Sequence, residues 1–457
     1  MQPAAARVSI ASMTSRLLTL PLAALALAFA TPAAAQLSNT EERITQIVEA
    51  NLERDIALLE AMVNINSGTH NHDGVREVGQ MLMPEFAALG FEVEWIEQDH
   101  VDRAGHLFAR MEGDSDGTNV LLIGHIDTVF EPESPFQTFS RDGLSATGPG
   151  VVDNKGGIIV ILAALRAMRD AGTLAGANIV VALTGDEESA GDPIAQSRQH
   201  LIEAGQWADV ALGFEGLSVM DGRDMGVVAR RSSNSWTLTT TGESGHSSGI
   251  FREGVGYGAI YEMARILDAF RTQLPEENLT YNVGILAGGT PAALATDGLS
   301  AEARGKTNII PENAVARGDL RTLTQEQSER VAARMQEIVD ANLPGTDAEL
   351  TINFRYPPMA PTEGNMALLD ALNGINADLG LERMEPLPPA RRGAADISFV
   401  APFVHGLAGM GPAGRGSHAP GETIDLTSIV RQAQRAAILM SRLGENPLTT
   451  PIALSDR

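Results

Sequence analysis

The 457-residue chain contains no cysteine. Disulfide bonds and thiolate metal ligands are therefore excluded, so any bound metal has to be held by histidine and carboxylate side chains. Basic residues are also scarce, because 33 lysines and arginines stand against 58 aspartates and glutamates, for a formal net charge of -25. Such a surface repels a phosphate backbone, and we expect no nucleic-acid partner.

An apolar segment lies near the amino terminus. Arg7 and Arg16 precede the apolar stretch 17–30, and Ala33–Ala35 follow as a small-residue cleavage site. This arrangement predicts a secretory signal peptide over residues 1–35, cleaved after Ala35, and a mature protein that is periplasmic or secreted. The alternative is a membrane anchor, but the apolar stretch is shorter than the ~20 residues that a spanning helix requires. We therefore expect no stable membrane anchor.

Two patterns of hydrophobic periodicity divide the rest of the chain. Up to about residue 228, continuous apolar strands alternate with helical segments, which predicts an α/β domain with helices on both faces of a mixed sheet. The following elements read β-α-β-β-α-β, the order of a small ferredoxin-like α+β sandwich. Pro357, Pro358 and Pro361 then mark a hinge, after which the first pattern resumes. The predicted order is a signal peptide (1–35), a first catalytic-domain segment (36–228), an inserted domain (229–355) and a second catalytic-domain segment (356–457).

Residue types that ligate metals follow several predicted strands. They are His125 and Asp127 in LLIGHIDTV, Asp153 in GPGVVDNKGG, Glu187 and Glu188 in GDEES, Glu215 in LGFEGL, and His418 in GRGSHAPGE. Each alone has a simpler interpretation, as a hydrogen-bonded structural histidine or a solvated acid. Open α/β sheets, however, bind ligands at the carboxyl ends of their strands, so we expect these side chains to converge.

The motifs, in this order, resemble those of the co-catalytic zinc metallopeptidase and aminoacylase family, and especially its exported bacterial glutamate carboxypeptidases. The resemblance covers about residues 44–443 and includes GHIDTV, TGPGVVDNKGG, TGDEESAG, GFEG, TGESGHSS and TNIIPENAVARGDLR. It implies a zinc-exopeptidase-like catalytic domain interrupted by a dimerisation or lid domain. The implied reaction is hydrolysis of the amide bond of a C-terminal amino acid in a peptide or N-acyl amino acid.

By this resemblance, two zinc ions are expected in each subunit. His125 and Glu215 are implied ligands of one ion, Glu188 and His418 of the other, and Asp153 of both. Oxygen and imidazole ligands also accept cobalt or manganese, so the ligand set alone does not select zinc.

Two acids are implied to act beside the ions. Asp127 resembles the acid that orients a ligand imidazole, and Glu187 resembles the general base that moves the proton of the attacking water. Asp186 has no implied role, and we interpret it as a solvated or turn-capping acid.

The inserted segment carries further candidates. His246, in TGESGHSSG, resembles a histidine that reaches the neighbouring subunit's active site and donates to the substrate carbonyl, which implies a homodimer formed through the inserted domain. Asn308 and Arg321 match positions near the substrate, and Arg355 resembles an arginine near the hinge. Arginine suits a substrate carboxylate because it donates two parallel hydrogen bonds. Arg321 is alternatively a surface charge at a strand end.

The sequence departs from the family pattern at two places. Asn154 stands where relatives commonly have methionine, which removes no ligand. The segment 392–397, RGAADI, replaces a glycine-rich GGGTDA and adds bulk to a loop beside the substrate pocket. Glutamate specificity therefore does not follow from the resemblance.

Two other functions remain as alternatives. Deacylation or desuccinylation of a small N-acyl metabolite uses the same chemistry, but those biosynthetic reactions are cytoplasmic and the predicted signal peptide argues against them. A non-catalytic periplasmic binding protein would be favoured if a ligand or Glu187 were missing, and none is missing here.

Overall fold

The computed structural model describes residues 36–113 and 117–445. The predicted signal peptide and its cleavage site lie outside these residues. Within the two described ranges, no helix has both the length and the apolar character needed to cross a membrane.

Helices and strands alternate through most of the chain. The helices are α1 (Asn39–Ala50), α2 (Leu52–Val63), α3 (His72–Ala87), α4 (Lys155–Ala171), α5 (Ile194–Ser197), α6 (Gln199–Trp207), α7 (Ala259–Gln273), α8 (Gln325–Asp340), α9 (Glu363–Asp378), α10 (Ile397–Val400) and α11 (Thr427–Glu445). The strands are β1 (Glu92–Gln98), β2 (Arg103–Met111), β3 (Asn119–His125), β4 (Ser140–Asp142), β5 (Ser145–Thr147), β6 (Asn178–Thr184), β7 (Val210–Gly213), β8 (Ser218–Met220), β9 (Arg223–Gly226), β10 (Ser233–Gly242), β11 (Thr280–Tyr281), β12 (Ile285–Gly289), β13 (Ala292–Leu294), β14 (Ala301–Ala303), β15 (Asn313–Arg321), β16 (Thr346–Tyr356), β17 (Glu385–Pro386), β18 (His405–Leu407), β19 (Gly414–Arg415) and β20 (Thr423–Asp425).

Local sequence accounts for several helix ends. The side chains of Ser38, Thr324 and Thr362 each accept a backbone N–H in the first turn of α1, α8 and α9. This contact satisfies one of the amide groups that have no partner inside the helix. Gly172 ends α4 with a φ of 88°, a left-handed conformation that glycine adopts without steric cost.

The main sheet has six strands in the order β1-β2-β6-β3-β7-β18. Strands β6, β3, β7 and β18 run parallel, whereas β2 is antiparallel to both β1 and β6. The predicted mixed sheet is therefore present. Strand β2 was not predicted, because its buried polar residues Arg103 and His106 interrupt the apolar pattern.

Helices cover both faces of this sheet. In β3, Val120 and Leu122 join a core formed with α1–α4 and α11. Leu121 and Ile123 point the other way and join a core formed with α6 and α10. Because successive strand residues face opposite sides, an uninterrupted apolar run is what burial on both faces requires.

A second, antiparallel sheet is built from the segment between β10 and β16. Its order is β16-β10-β15-β11, and β12 also pairs with β15. Helices α7 and α8 pack against it around Trp236, Phe270 and Met335. The observed order is β-α-β-β-α-β with an added β13-β14 hairpin, and the single strand predicted at 281–286 is two short strands. The described residues from Gln36 onward form one unit, so the domain boundaries, and the role of this segment as a dimerisation or lid domain, stay predictions.

The register of the parallel strands aligns the ends of β3, β6 and β7 at one edge of the main sheet. His125, the last residue of β3, pairs with Thr184, the last residue of β6. Ile123 pairs with Gly213, which ends β7 two residues before Glu215. The loops that follow these three strands therefore begin side by side.

Candidate metal centre

A chain of carboxylates and imidazoles lies at this edge. Asp153 contacts His125 through one oxygen (Oδ1–Nε2, 3.1 Å) and His418 through the other (Oδ2–Nε2, 3.3 Å). The Nε2 of His418 is also 3.1 Å from Oε2 of Glu188. One ligand atom each from His125, Asp153 and Glu188 lies within 4.8 Å of the others, an arrangement able to hold a metal ion.

Glu215 stands beside this group. It shares a small cavity with His125 and Glu187, and its Oε2 forms an ion pair with Nη1 of Arg230 at 2.7 Å. The five residues predicted as metal ligands are thus brought together, although up to 293 positions separate the first from the last, His125 from His418.

The protonation of the group fits a site for divalent cations. Hydrogen bonds to Asp153 and Glu188 raise the pKa of His418 to about 11. Burial opposes the charged imidazole of His125, but Asp127 and Asp153 raise its pKa well above the usual value. One buried oxygen of Glu188, Oε1, has no hydrogen-bond partner, which leaves a ligand position open for a metal.

Glu422 holds the loop that carries Asp153. Its carboxylate accepts the backbone N–H groups of Gly150, Val152 and Asp153 at 3.0, 2.7 and 2.9 Å. Glu422 was not predicted to have a role. It lies four residues after His418, and no motif in the sequence marks it.

Asp127 lies behind the cluster and is fully buried. Its Oδ1 is 3.3 Å from Nδ1 of His125 and accepts the backbone N–H of Glu187 at 3.0 Å. Its Oδ2 accepts from the backbone N–H of Glu188 at 3.1 Å and from the hydroxyl of Thr69 at 2.6 Å. One carboxylate therefore orients an imidazole and also fixes the Glu187-Glu188 backbone, as a support for metal ligands does.

Glu187 faces the same cavity as the cluster. Burial raises its pKa well above the usual value, and the nearby carboxylates of Glu215 and Glu188 act in the same direction, whereas His125 opposes them. A carboxyl group with a raised pKa is suited to accept and return a proton near neutral pH.

Asp186 is buried, so the solvated alternative is wrong, whereas the turn-capping alternative is confirmed. It is fully buried, accepts the backbone N–H of Gly191 at 2.9 Å as a turn cap, and accepts from Nη1 of Arg198 at 2.5 Å. Burial alone raises the pKa of Asp186, but Arg198 and the other donors outweigh it and lower the pKa to about 2. The Nε of Arg198 also donates to Asp396 at 2.7 Å, which completes a buried acid–arginine–acid triad.

The triad reaches Glu187 through Tyr356. Arg198 donates to the Tyr356 hydroxyl at 2.9 Å, and that hydroxyl donates to the backbone carbonyl of Glu187 at 2.7 Å. Tyr356 is the last residue of β16, so the antiparallel sheet is hydrogen-bonded to the loop of Glu187. These contacts were missed because no local pattern joins positions so distant in the sequence.

Above the cluster lies a cavity of about 430 Å³. Four arginines line it together with the carboxylates, namely Arg230, Arg321, Arg391 and Arg392. Of the predicted substrate contacts, only Arg321 lines this cavity.

The remaining predicted site residues lie elsewhere in the described chain. His246 and Asn308 are both exposed and stand side by side, with His246 bridging to Ile309 and Asn308 accepting the backbone N–H of Ser247. Arg355 donates to Asp192 and to the carbonyl of Ala190, each at 3.0 Å. Their catalytic and substrate-binding roles stay predictions.

A cavity that combines hard metal ligands with cations suited to a carboxylate has the components of a metal-dependent amide hydrolase. Residues 121–442 match the family model described as Peptidase family M20/M25/M40, and the chain belongs to this family. It is therefore a metal-dependent peptidase or amidohydrolase.

Individual relatives are similar over most of their length. Carboxypeptidase G2 of Pseudomonas sp. (strain RS-16) is 27% identical over 405 residues, which cover 85% of this chain and 89% of that protein. Succinyl-diaminopimelate desuccinylase of Acidiphilium cryptum (strain JF-5) is 25% identical over 400 residues, covering 85% and 98%. A Bacillus subtilis structure described as a dinuclear metal binding peptidase has a TM-score of 0.61 at 17% identity, covering 87% of this chain and 99% of that chain. At that identity the likeness shows the fold alone.

Arg198→Met is expected to lower the free energy of unfolding by about 3–5 kcal/mol, because it leaves Asp186 and Asp396 buried without their cation. Urea denaturation of the metal-loaded protein at pH 7 measures the change. Arg383→Met is the matched control, since Arg383 and its partner Asp370 are both exposed, and it should change the free energy by less than about 0.5 kcal/mol. Equal denaturation midpoints for Arg198→Met and the wild type would contradict a stabilising triad.

Glu422 should leave a signature in the pH dependence of stability. Burial raises its pKa from 4.5 to about 7 in the folded protein. Its contribution to stability is thus fully present below pH 4.5 and is lost as the pH rises through about 7. For the metal-free protein, the unfolding free energy of wild type minus that of Glu422→Gln should fall over this window and then level off. A difference that does not vary with pH would refute the assignment.

Proposed function

We propose that this chain is an exported dinuclear zinc hydrolase that removes the C-terminal amino acid from a peptide or an N-acyl amino acid. The observation that carries the proposal is the position of Asp153, whose two oxygens contact imidazoles of two different predicted ligands, so that this carboxylate would be available to both ions. The similarity to carboxypeptidase G2 over 85% of the chain supports the reaction class. Export rests on the sequence of residues 1–35.

The residues fit a pair of metal ions. In this proposal His125 and Glu215 would hold one ion, Glu188 and His418 the other, and Asp153 would contribute to both. Bound zinc supplies Lewis acidity and makes water an effective nucleophile at neutral pH, and cobalt or manganese suits the same ligands. The Bacillus subtilis protein of the same fold is described as dinuclear, which supports two ions here.

Glu187 is the proton carrier in this proposal. It accepts the proton of the attacking water and delivers it to the amine that leaves. Asp127 keeps Glu187 in place through its backbone N–H and orients His125 at the same time. Burial of this carboxyl group favours the proton-bound form that the second transfer requires.

Arg321 is assigned to the C-terminal carboxylate of the substrate. It lines the cavity, while its Nε donates to Asp319 at 3.1 Å and so holds the side chain in position. Arg355 has to leave Asp192 before it can reach the same cavity. Asn308 lies beside His246, so we assign both to the site of a neighbouring subunit.

A homodimer formed through the inserted domain belongs to the proposal. Support comes from large apolar residues that are exposed on that segment, among them Phe251, Ile260, Tyr261 and Leu286. The rings of Phe251 and Tyr261 are 5.3 Å apart, and Phe251 follows His246 by five residues. Exposed apolar clusters of this kind mark contact surfaces between proteins. In this dimer, His246 of one subunit reaches the active site of the other subunit and donates a hydrogen bond to the substrate carbonyl.

Desuccinylation of a small metabolite is the second candidate. The observation in its favour is the arginine-lined cavity, which suits a substrate with more than one carboxylate, and a desuccinylase is 25% identical over 85% of the chain. A non-catalytic binding protein is disfavoured, since the ligands and Glu187 all meet at one cavity.

Glu187→Gln is expected to lower kcat/KM on the best substrate by about 10²–10⁴-fold, because the amide cannot carry a proton. A panel of N-acyl amino acids and dipeptides identifies that substrate, and elemental analysis should find the same metal content in variant and wild type. Glu203→Gln, at an exposed position on α6, is the control and should keep wild-type turnover. Equal turnover in Glu187→Gln would remove the base assignment, and no amide hydrolysis by metal-loaded wild type would remove the proposed function.

Mixed dimers test the role of His246. His246→Ala and Glu187→Gln should each be nearly inactive alone, but subunits mixed under exchange conditions should regain activity. In a mixed dimer, the subunit that retains Glu187 receives an intact histidine from its partner. Native mass measurement checks the dimer. No recovery in a verified mixed dimer would show that His246 does not act on the neighbouring site.

A further inference from the structure

Asn154 lies between β3 and β7 at the edge of the main sheet that carries the metal cluster. The hydrogen bonds of this strand pair extend to the N–H of Phe214, which donates to the carbonyl of Ile123 at 2.8 Å. Because a parallel pair has evenly spaced bonds, the next one would join the N–H of His125 to the carbonyl of Phe214. At this place the side-chain amide of Asn154 makes both connections. Its Oδ1 accepts the His125 N–H at 3.4 Å, and its Nδ2 donates to the Phe214 carbonyl at 3.0 Å.

The space around this amide is shaped by two glycines. Asn154 is fully buried. A Cβ atom at Gly124 would lie 2.8 Å from its Oδ1, and one at Gly157 would lie 2.9 Å from the same atom. Both distances are too short for a carbon and an oxygen that are not bonded, so a side chain at either position would displace the amide. Glycine at these two positions therefore leaves room for the bridge between the strands.

The chemistry of the bridge requires an amide. One end of the side chain has to accept a hydrogen bond and the other end has to donate one, which an amide group does with its oxygen and its nitrogen. Methionine, which the family commonly carries at the position of Asn154, has no hydrogen-bond donor and only a weak acceptor. The departure from the family pattern at this position thus adds two connections between strands.

The amide also joins the three segments that carry the proposed ligands of one metal ion. His125 supplies the N–H, Phe214 directly precedes Glu215, and Asp153 directly precedes Asn154. A change in the separation of β3 and β7 moves the imidazole of His125 relative to the carboxylate of Glu215. Metal–ligand distances vary by only about 0.2 Å, so a bound ion is sensitive to such a change.

Asp127 and Asn154 act on different parts of His125. Asp127 lies 3.3 Å from Nδ1 of the ring, whereas Asn154 contacts the backbone N–H. The first contact orients the imidazole, and the second fixes the position of the strand end that carries it. Orientation and position of this ligand are therefore held by separate residues.

Resting on the ligand set of the proposed function, we propose that Asn154 is a positioning residue for the ion held by His125, Asp153 and Glu215. Its amide sets the separation of β3 and β7 where the two strands diverge, and with it the distance that the ion has to span. Asn154 acts through the backbone of the ligands, and it lines neither the cavity above the cluster nor the small cavity beside Glu215.

Asn154→Met tests the proposal, because it removes both hydrogen bonds and introduces the residue that the family commonly carries. Zinc is titrated into metal-free protein in competition with a chromophoric chelator. The affinity for one of the two ions should fall by about 10–100-fold, as is usual when a residue that supports a metal ligand is lost. The other ion should be affected far less. The absorption spectrum of the cobalt-substituted protein should change as well, since it reports the coordination geometry.

Asn373→Met is the matched control. Asn373 is also buried, and its amide also bridges backbone groups, donating to the carbonyl of Met384 at 2.9 Å and accepting its N–H at 2.7 Å. It lies on α9 and lines neither cavity of the site. Asn373→Met should therefore lower stability but keep the zinc affinity of the wild type. Unchanged zinc affinity in Asn154→Met, or equal losses in both variants, would overturn the proposal.

Gly124→Ala reaches the same amide without altering its chemistry. The added methyl group has to displace Oδ1 of Asn154 and should weaken the same ion. Asn154→Ser is smaller and still polar, so it provides a second test if Asn154→Met fails to fold, and its affinity loss should be intermediate. In the Asn154→Ser background, Gly124→Ala should have little further effect, because the two changes act on one contact. A full additional loss in that background would contradict the role of the amide.

Failure of this inference and failure of the proposed function give different results. Two zinc ions bound with the same affinities by wild type and Asn154→Met would refute the positioning role and leave the hydrolase intact. Weaker zinc binding in Asn154→Met, together with no amide hydrolysis by zinc-loaded wild type, would keep the positioning role and remove the proposed reaction.

Discussion

The structure depends on crowding five carboxylates into one buried edge of a sheet. Asp127, Asp153, Glu187, Glu188 and Glu215 meet where β3, β6 and β7 end, and burial makes their mutual repulsion expensive. The fold places imidazoles against Asp153, a guanidinium against Glu215 and backbone N–H groups against Asp127. A site arranged in this way has a strong electrostatic demand for cations, which divalent metals satisfy better than protons do.

The sequence was most informative where chemistry and local pattern coincide. The apolar runs of β3, β6 and β7 each end close to a ligand-type residue, and the general rule for open α/β sheets then places those residues together. Strand β2 escaped detection because its buried Arg103 and His106 find partners elsewhere in the chain: Arg103 donates to the carbonyl of Ser189, and His106 contacts that of Ser197. Contacts such as Arg198 with Asp396, separated by 198 positions, exist only after folding and leave no local signal.

The residues carried by the inserted segment show a different limit. His246 and Asn308 are exposed in the loops that follow β10 and precede β15, whereas Arg321, the last residue of β15, lines the cavity. One chain therefore brings the predicted metal ligands together but not every predicted substrate contact. A motif can identify residues that act at one kind of site, but which subunit supplies them depends on quaternary geometry, and a single sequence carries little information about that.

The hydroxyl of Tyr356 links the last strand of the antiparallel sheet to the main chain at Glu187, and three prolines follow within five residues. Any rotation of that sheet about the proline segment must either carry the Glu187 loop along or break this hydrogen bond. If product is released by such a rotation, the release also moves Glu187, the proposed proton carrier. Turnover would then depend on a segment that supplies none of the predicted metal ligands.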